Sequence, residues 1–188
     1  MLVRVLLAST AAAFMVAGSA NATVNLVTDG TFTAQPGVSG SFKTYTHGKT
    51  FGLGAWTVVG SEGDSVDLVT DKYFAPPNPG ERTVDLNGFV AGGISQTTNL
   101  AKAGMYVLTF DLSGNPFGQR NAVRTLVVSI GDVVNSPLSY SLTPSNSKNN
   151  MNYELETIKF YYDGSSAGKI LTFLSTSNTD RYGPVIGD

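Results

Sequence analysis

Cysteine is absent from the sequence, and histidine occurs once, at His47. The first absence rules out disulfide staples and a thiol nucleophile. Together the two leave too few nitrogen and sulfur ligands for a zinc site. A Ser-His-Asp arrangement could draw only on His47, which precedes Gly48-Lys49 and reads as a surface residue near a turn. No G-x-S-x-G elbow holds a serine nucleophile; Gly37-Val38-Ser39-Gly40 reads as loop. Charge is scarce as well, at 14% of residues with a formal net charge of −2. That balance argues against nucleic acid, whose phosphates require clustered Lys and Arg.

Beyond the N-terminus no stretch approaches the roughly 20 consecutive apolar residues of a membrane-spanning helix. At the N-terminus Arg4 supplies a short positive region, and Val5 through Val16 is apolar except for Ser9 and Thr10. Ala20-Asn21-Ala22 then has the small-x-small form of a cleavage site. We therefore expect an export signal over residues 1–22 and no transmembrane segment in the mature chain. Residues 23–188 lose one of the 12 basic residues, Arg4, and keep all 14 acidic ones. They are long enough for a single domain with a sizeable core.

What the sequence has in quantity is glycine, 21 residues, together with Thr, Ser and Asn. This composition suits an all-β extracellular module. The clearest strand is Met105–Ser113, where Tyr106, Leu108, Phe110 and Leu112 alternate with Val107, Thr109, Asp111 and Ser113. Leu126, Val128 and Ile130 repeat the pattern, as do Ile158, Phe160 and Tyr162, and then Leu171 and Phe173. Shorter strands are expected at Phe42–Thr46, at Ala55–Val59 with the only Trp, and at Ser65–Thr70. Tyr73–Gly80 carries three prolines and reads as an aromatic-bearing loop. Leu142–Met151 reads as a polar loop, and no segment has a helical period. Short strands separated by turns predict an antiparallel β-sandwich, with a jelly roll preferred. Val185-Ile186 looks like the start of one more strand, so the domain is expected to continue past Asp188.

The densest local pattern is Thr83–Gln96. It joins a strand (Thr83–Leu86), Asn87-Gly88, Gly92-Gly93 and a second strand start (Ile94–Gln96) in what reads as one hairpin-like unit. Asp67, Asp85 and Asp111 each stand between two apolar residues. If those neighbours face the core, all three aspartates point away from it. They are then either unrelated solvent-facing acids or ligands for sugar hydroxyls or a cation. A carboxylate pair acting as a glycosidase is the remaining catalytic option. Carbohydrate binding needs aromatic platforms with amide and carboxylate groups beside them. Tyr73 and Phe74 on the proline-rich loop are the first candidates for platforms; Trp56, inside an apolar strand, also fits core packing. Asp67, Asp85, Asn87, Gln96 and Asn115 are the candidate polar contacts.

The motifs N-L-V-x-[ND]-G-x-F at Asn25–Phe32, G-x-W-T-V at Gly54–Val58, S-V-D at Ser65–Asp67 and V-D-L-N-G…G-G-I-S-Q at Val84–Gln96 combine with Y-x-L-x-F-D-L-[SA]-G-N-P at Tyr106–Pro116 and the closing G-P-V-I-G-D. As a set they resemble the bacterial choice-of-anchor C family. That family is similar to plant cell-wall proteins of a large domain-of-unknown-function family and to galactose-binding-like jelly rolls. The resemblance implies an exported, surface-associated sandwich with carbohydrate or cell-wall binding and no established catalysis. Members usually carry a sorting segment after the domain, which is not seen here, so the anchor is open. Related jelly rolls show G-x-F-E, whose Glu helps to hold a structural calcium. Here that position is Thr33, which leaves Asp29 and Asp188 as the acids such an ion would use.

These readings point to a non-catalytic exported module that binds polysaccharide or cell-surface glycan. The alternative is a structural matrix or surface protein acting through protein contacts, and an enzyme ranks third. The export signal has a direct check: N-terminal sequencing of the protein recovered from an exporting host is expected to begin at Thr23, and an intact Met1 would refute cleavage after Ala22.

Overall fold

The computed structural model describes residues 25–119, 121–165, 169–177 and 181–188; the predicted export signal lies outside them. Alternating apolar and polar residues give each strand two unlike faces, and the described residues form strands and no helix. In chain order the strands are β1 (Phe42–Thr46), β2 (Thr50–Phe51), β3 (Trp56–Val59), β4 (Ser65–Val69), β5 (Thr83–Asp85) and β6 (Gly93–Thr97). They continue with β7 (Gly104–Gly114), β8 (Val123–Ile130), β9 (Val134–Ser141), β10 (Glu154–Tyr162), β11 (Ile170–Ser175) and β12 (Pro184–Gly187). They pair into two six-stranded sheets, ordered β1-β4-β5-β12-β7-β10 and β2-β3-β6-β11-β8-β9. All pairings between these strands are antiparallel. The fold is an all-β sandwich of the jelly-roll class, as expected.

Register explains the core. Leu68, Val84, Ile186 and Leu112 stand side by side across β4, β5, β12 and β7, and all are buried. Val58, Ile94, Phe173 and Val128 form the matching row across β3, β6, β11 and β8. The two rows face each other in one continuous core. One residue away along the first sheet, Asp67, Asp85, Val185 and Ser113 form a row on its outer face. Since the side-chain period is two, the burial of the leucines dictates where the aspartates point.

Two expectations are corrected. Thr83–Gln96 is not a hairpin, because β5 and β6 belong to different sheets. A local turn does close, with Gly92 N donating to Leu86 O at 2.8 Å, but the chain leaves it across the sandwich. The glycines there serve close approach: none of Gly88, Gly92 and Gly93 has a positive φ, and a Cβ on Gly88 or Gly92 would come within 2.8 Å of Ser65 Oγ or 2.9 Å of Ser65 O. Trp56 is no ligand platform. It is 1% exposed, packs on Phe32 at 5.5 Å, and donates from Nε1 to Asp29 O at 3.0 Å. β9 was not legible as a strand because Pro137 interrupts it. At the sheet edge, where it lies, the proline's missing N–H costs no ladder bond.

A second, smaller apolar cluster lies on the outer face of the first sheet. Val69, Phe74, Met151 and Val185 form its centre, with Tyr73 and Tyr153 packed against it. Ser113 Oγ donates to Met151 O at 2.5 Å and holds the 143–153 segment over this face. Trp56→Ala is expected to lower stability by about 3–5 kcal/mol, measured by urea denaturation. A loss below about 1 kcal/mol would mean that the residue is not a core anchor.

Candidate functional site

The outer row of the first sheet forms the floor of a cleft of about 310 Å³. Thr44, Asp67 and Asp85 stand opposite one another across β1, β4 and β5. Thr44 Oγ1 donates to Asp67 Oδ1 at 2.5 Å. Asp85 lies deeper, 1% exposed, and its carboxylate is met by three donors. Asn87 N at 2.9 Å and Gly183 N at 3.1 Å reach Oδ1, and Asn115 Nδ2 at 2.6 Å reaches Oδ2. Gly183 has no room for a side chain, since a Cβ there would stand 2.7 Å from Asp85 Oδ1. Asn115 Oδ1 accepts in turn from Phe117 N at 2.9 Å, which sets the turn that carries the Phe117 ring.

Aromatic rings make the walls. Tyr73 stacks on Phe74 with centroids 4.9 Å apart, approaches Phe117 at 5.7 Å, and meets Phe42 at 5.6 Å. On the other side the Arg181 guanidinium lies over the Phe89 ring, 5.3 Å from its centroid, with Tyr182 adjacent in the lining. Phe42, Phe89 and Phe117 are all exposed, and all line the cleft.

Of the residues chosen from the sequence, Asp67, Asp85, Asn115, Tyr73 and Phe74 do line this cleft. Their roles differ. Tyr73 is half-buried, with a ring in the wall, whereas Phe74 is 1% exposed and anchors the small outer cluster. The expectation that it is a free platform is therefore corrected: a proline-rich loop can fold its aromatics onto a sheet. Asp85 and Asn87 are buried and form no exposed polar rim. Gln96 lies on β6, in the opposite sheet, where Oε1 accepts from Thr28 N at 2.8 Å and Nε2 donates to Thr28 O at 3.1 Å. It clamps the N-terminal segment and does not line the cleft, so its reading as a polar contact beside Asp85 is corrected. Asp111 does share the outer face, opposite Gly187 and Leu155, but it does not line the cleft. The sequence reading missed Phe42, Thr44, Phe89, Phe117, Arg181 and Tyr182. Phe89 lies inside a motif already singled out and Phe117 directly follows one, so their signal was present; for Arg181 there was none.

For a cation, Asp29 Oδ1 accepts from Ala34 N at 2.9 Å, and its other oxygen is buried with no hydrogen-bond partner. Asp188 points toward Gly30, its Oδ2 3.1 Å from where a Cβ would sit. Among the described residues, no three His, Asp or Glu side chains gather as a metal site.

Burial pushes the Asp85 pKa up to about 8, with the Asn87 and Asn115 bonds opposing and the charge of Asp67 adding to the rise. Burial also raises Asp67, while the Thr44 hydroxyl and then Arg181 pull it back. The Tyr73 phenol is raised by burial and then by Tyr182, Asp67 and Asp85.

The fold and cleft define an antiparallel jelly-roll module with a concave, aromatic-walled acidic site on one outer sheet face. Residues 25–188 match the family described as "Protein of unknown function (DUF642)". The chain belongs to that family. Similar solved structures include TmCBM61 in complex with β-1,4-galactotriose, at 18% identity over 71% of this chain and 84% of that one, with a TM-score of 0.46. A family 16 carbohydrate-binding module is similar at 15% identity over 86% and 94%, TM-score 0.46. A family 35 module from Clostridium thermocellum is similar at 14% over 77% and 94%, TM-score 0.43. No curated protein matches the sequence.

The Asp85 shift has a measurable consequence. Between the ordinary value of 3.8 and about 8 the folded protein keeps a proton that the unfolded chain has released. This contribution to stability is therefore complete below the ordinary value and is lost as pH rises through about 8. Thermal midpoints are expected to fall from about pH 5 to about pH 9, and to fall less in Asp85→Asn, which cannot ionise. Identical profiles for the two proteins would refute the assignment.

Proposed function

We propose that the chain is an exported, non-catalytic module that binds polysaccharide or cell-surface glycan in the cleft above Asp67. The observation that carries this reading is a carboxylate accessible at the foot of a wall built by the Tyr73 and Phe117 rings. Ligand sites are typically concave and mostly apolar, with a few placed polar groups. A pyranose ring matches that description: its C–H face lies on an aromatic ring while its hydroxyls donate to an acid. Phe42, Phe89 and Phe117 are exposed around a single cleft. Exposed aromatics gathered in this way mark a contact surface.

The condition of the two acids supports binding without catalysis. Asp67 and Asp85 are directly opposite one another, close enough for a carboxylate pair to be considered. Asp85, however, is buried, and both of its oxygens are already engaged by protein donors. Export rests on the N-terminal signal pattern, and membership of the narrower choice-of-anchor C group rests on the sequence resemblance.

A structural role through protein contacts is favoured by a different observation. β10 is a sheet edge; Leu155 and Tyr161 on it, and Met105 and Val107 on its neighbour β7, are exposed.

Calorimetric titration and retention on a panel of insoluble polysaccharides test the first reading. Tyr73→Ala and Asp67→Ala are each expected to weaken binding tenfold or more, about 1.4 kcal/mol, while leaving the fold intact by circular dichroism. Full retention by both variants would move the site elsewhere. Concentration-dependent self-association with no retention on any glycan would support the structural role instead.

A further inference from the structure

The strands at the ends of the two sheets are β1 and β10 in the first and β2 and β9 in the second. An end strand offers unpaired backbone donors and acceptors, and folds blunt it with shortness, proline or lysine. β2 has two residues, β9 is interrupted by Pro137, and β1 has five residues with Lys43 among them. β10 differs. It is nine residues of strand without proline, paired along its whole length with β7 on one side and with no described strand on the other.

This edge is apolar on both faces. Outward, Leu155 and Tyr161 are 69% and 59% exposed, and Met105 and Val107 on β7 extend the patch, with Met105 directly opposite Tyr161. Inward, Ile158 and Phe160 pack on the core yet stay half-buried, Phe160 lying on the Tyr106 ring at 5.8 Å between centroids. The sandwich is open along β10, and one added strand would cover both sets of side chains at once.

The sequence of β10 fits its own copy. A twofold axis normal to the sheet pairs antiparallel strands so that opposed residues share a face. With Ile158 on the axis the overlap is complete over all nine residues. Leu155 then stands opposite Tyr161 of the second copy, Thr157 opposite Lys159, Glu156 opposite Phe160 and Glu154 opposite Tyr162, so no like charges meet. A slide of one side-chain period sets Lys159 against its own copy in one direction and Leu155 against Lys159 in the other. A second period that way brings Glu156 against its own copy. Like charges directly opposite are destabilising, so the three charges of β10 select the register of complete overlap.

We propose that the chain forms a twofold dimer through β10, whose edge adds antiparallel to the β10 of a second copy and joins two six-stranded sheets into one. The axis normal to the sheet turns both outer faces the same way. β1, β4 and β5 lie at the far end of the sheet order from β10, so both clefts open on one side of the dimer, clear of the seam. Resting on the carbohydrate-binding reading above, two clefts on one surface hold a polysaccharide with an avidity beyond that of either alone.

Sedimentation equilibrium of the exported protein, with no glycan present, is expected to give the mass of two chains at high concentration, falling toward one on dilution. A single-chain mass up to about 1 mM protein overturns the pairing. Leu155→Lys and Tyr161→Lys alter exposed side chains and are each expected to weaken the dimer tenfold or more with an unchanged circular dichroism spectrum. Dimers unaffected by both variants overturn the assigned surface, and masses that grow past two chains overturn twofold closure in favour of pairing between unlike edges. Because the chain has no cysteine, single substitutions report the register under oxidation. Ile158→Cys is expected to cross-link two chains faster than Thr157→Cys or Lys159→Cys; the reverse order overturns the register, and no cross-link at any of the three overturns pairing through β10. These measurements use no glycan, so their failure is distinct from failure of the carbohydrate-binding reading. On a polysaccharide that retains the wild type, Leu155→Lys is expected to be retained less although it lies outside the cleft, and equal retention overturns the avidity alone.

Discussion

The Asp85 carboxylate is the tie on which the site depends. It sits at the end of β5, buried, and collects hydrogen bonds from Asn87 N, Gly183 N and Asn115 Nδ2. Those three donors belong to three separate connections: the corner leading from β5 toward β6, the segment entering β12, and the turn after β7. Each of these connections places an aromatic or charged group in the cleft: Phe89 in the first, Arg181 and Tyr182 in the second, Phe117 in the third. A hydrogen bond contributes about 0.5–1.5 kcal/mol net, and here the same bonds hold two walls in position relative to the floor. The cost of burying the acid shows in its raised pKa. The fold meets that cost at the point where the binding surface has to be rigid.

Asp67 and Asp85 illustrate how one residue type takes two roles a strand apart. The two are register partners with the same apolar neighbours in sequence. Asp85 lies on β5, deep within its sheet, under the loops that close over the outer face; Asp67 lies on β4, next to the edge strand β1. Position in the sheet order makes one a scaffold and the other a contact. The aromatic residues divide in the same way. Trp56, Phe32 and Phe173 fill the sandwich; Phe74 seals the small outer cluster; Tyr73, Phe42 and Phe117 are left to form the wall.

Much of this was legible in local pattern. The alternation in Met105–Ser113 places Tyr106, Leu108, Phe110 and Leu112 toward the core, which is where they lie. The V-D-L and F-D-L triplets put Asp67, Asp85 and Asp111 on an outer face, and they share one. The reading of Thr83–Gln96 failed for a physical reason. A short turn between two apolar runs looks the same whether the strands pair with each other or part to opposite sheets, because the partners that decide are distant in sequence. β5 pairs with β4 and β12, and β6 with β3 and β11. Gln96 was misplaced as a result: grouped with Asp85 and Asn87 as a polar contact, it instead clamps Thr28 on the other sheet.

The period of two, the scarcity of charge and the turn residues determined by themselves an antiparallel sandwich and which side of each strand is apolar. These are properties of neighbours along the chain, and alternation is set by backbone geometry. Only the tertiary structure decided which of the outward residues meet. The cleft draws on β1, β4, β5, the loops after β4 and β7, and the segment before β12, joined through bonds such as Asn115 to Asp85 and Gly183 to Asp85. The spacing of those residues in sequence carries no trace of their convergence. It arises because burial of the two core rows fixes sheet order and register, and register then brings distant outer residues to one place.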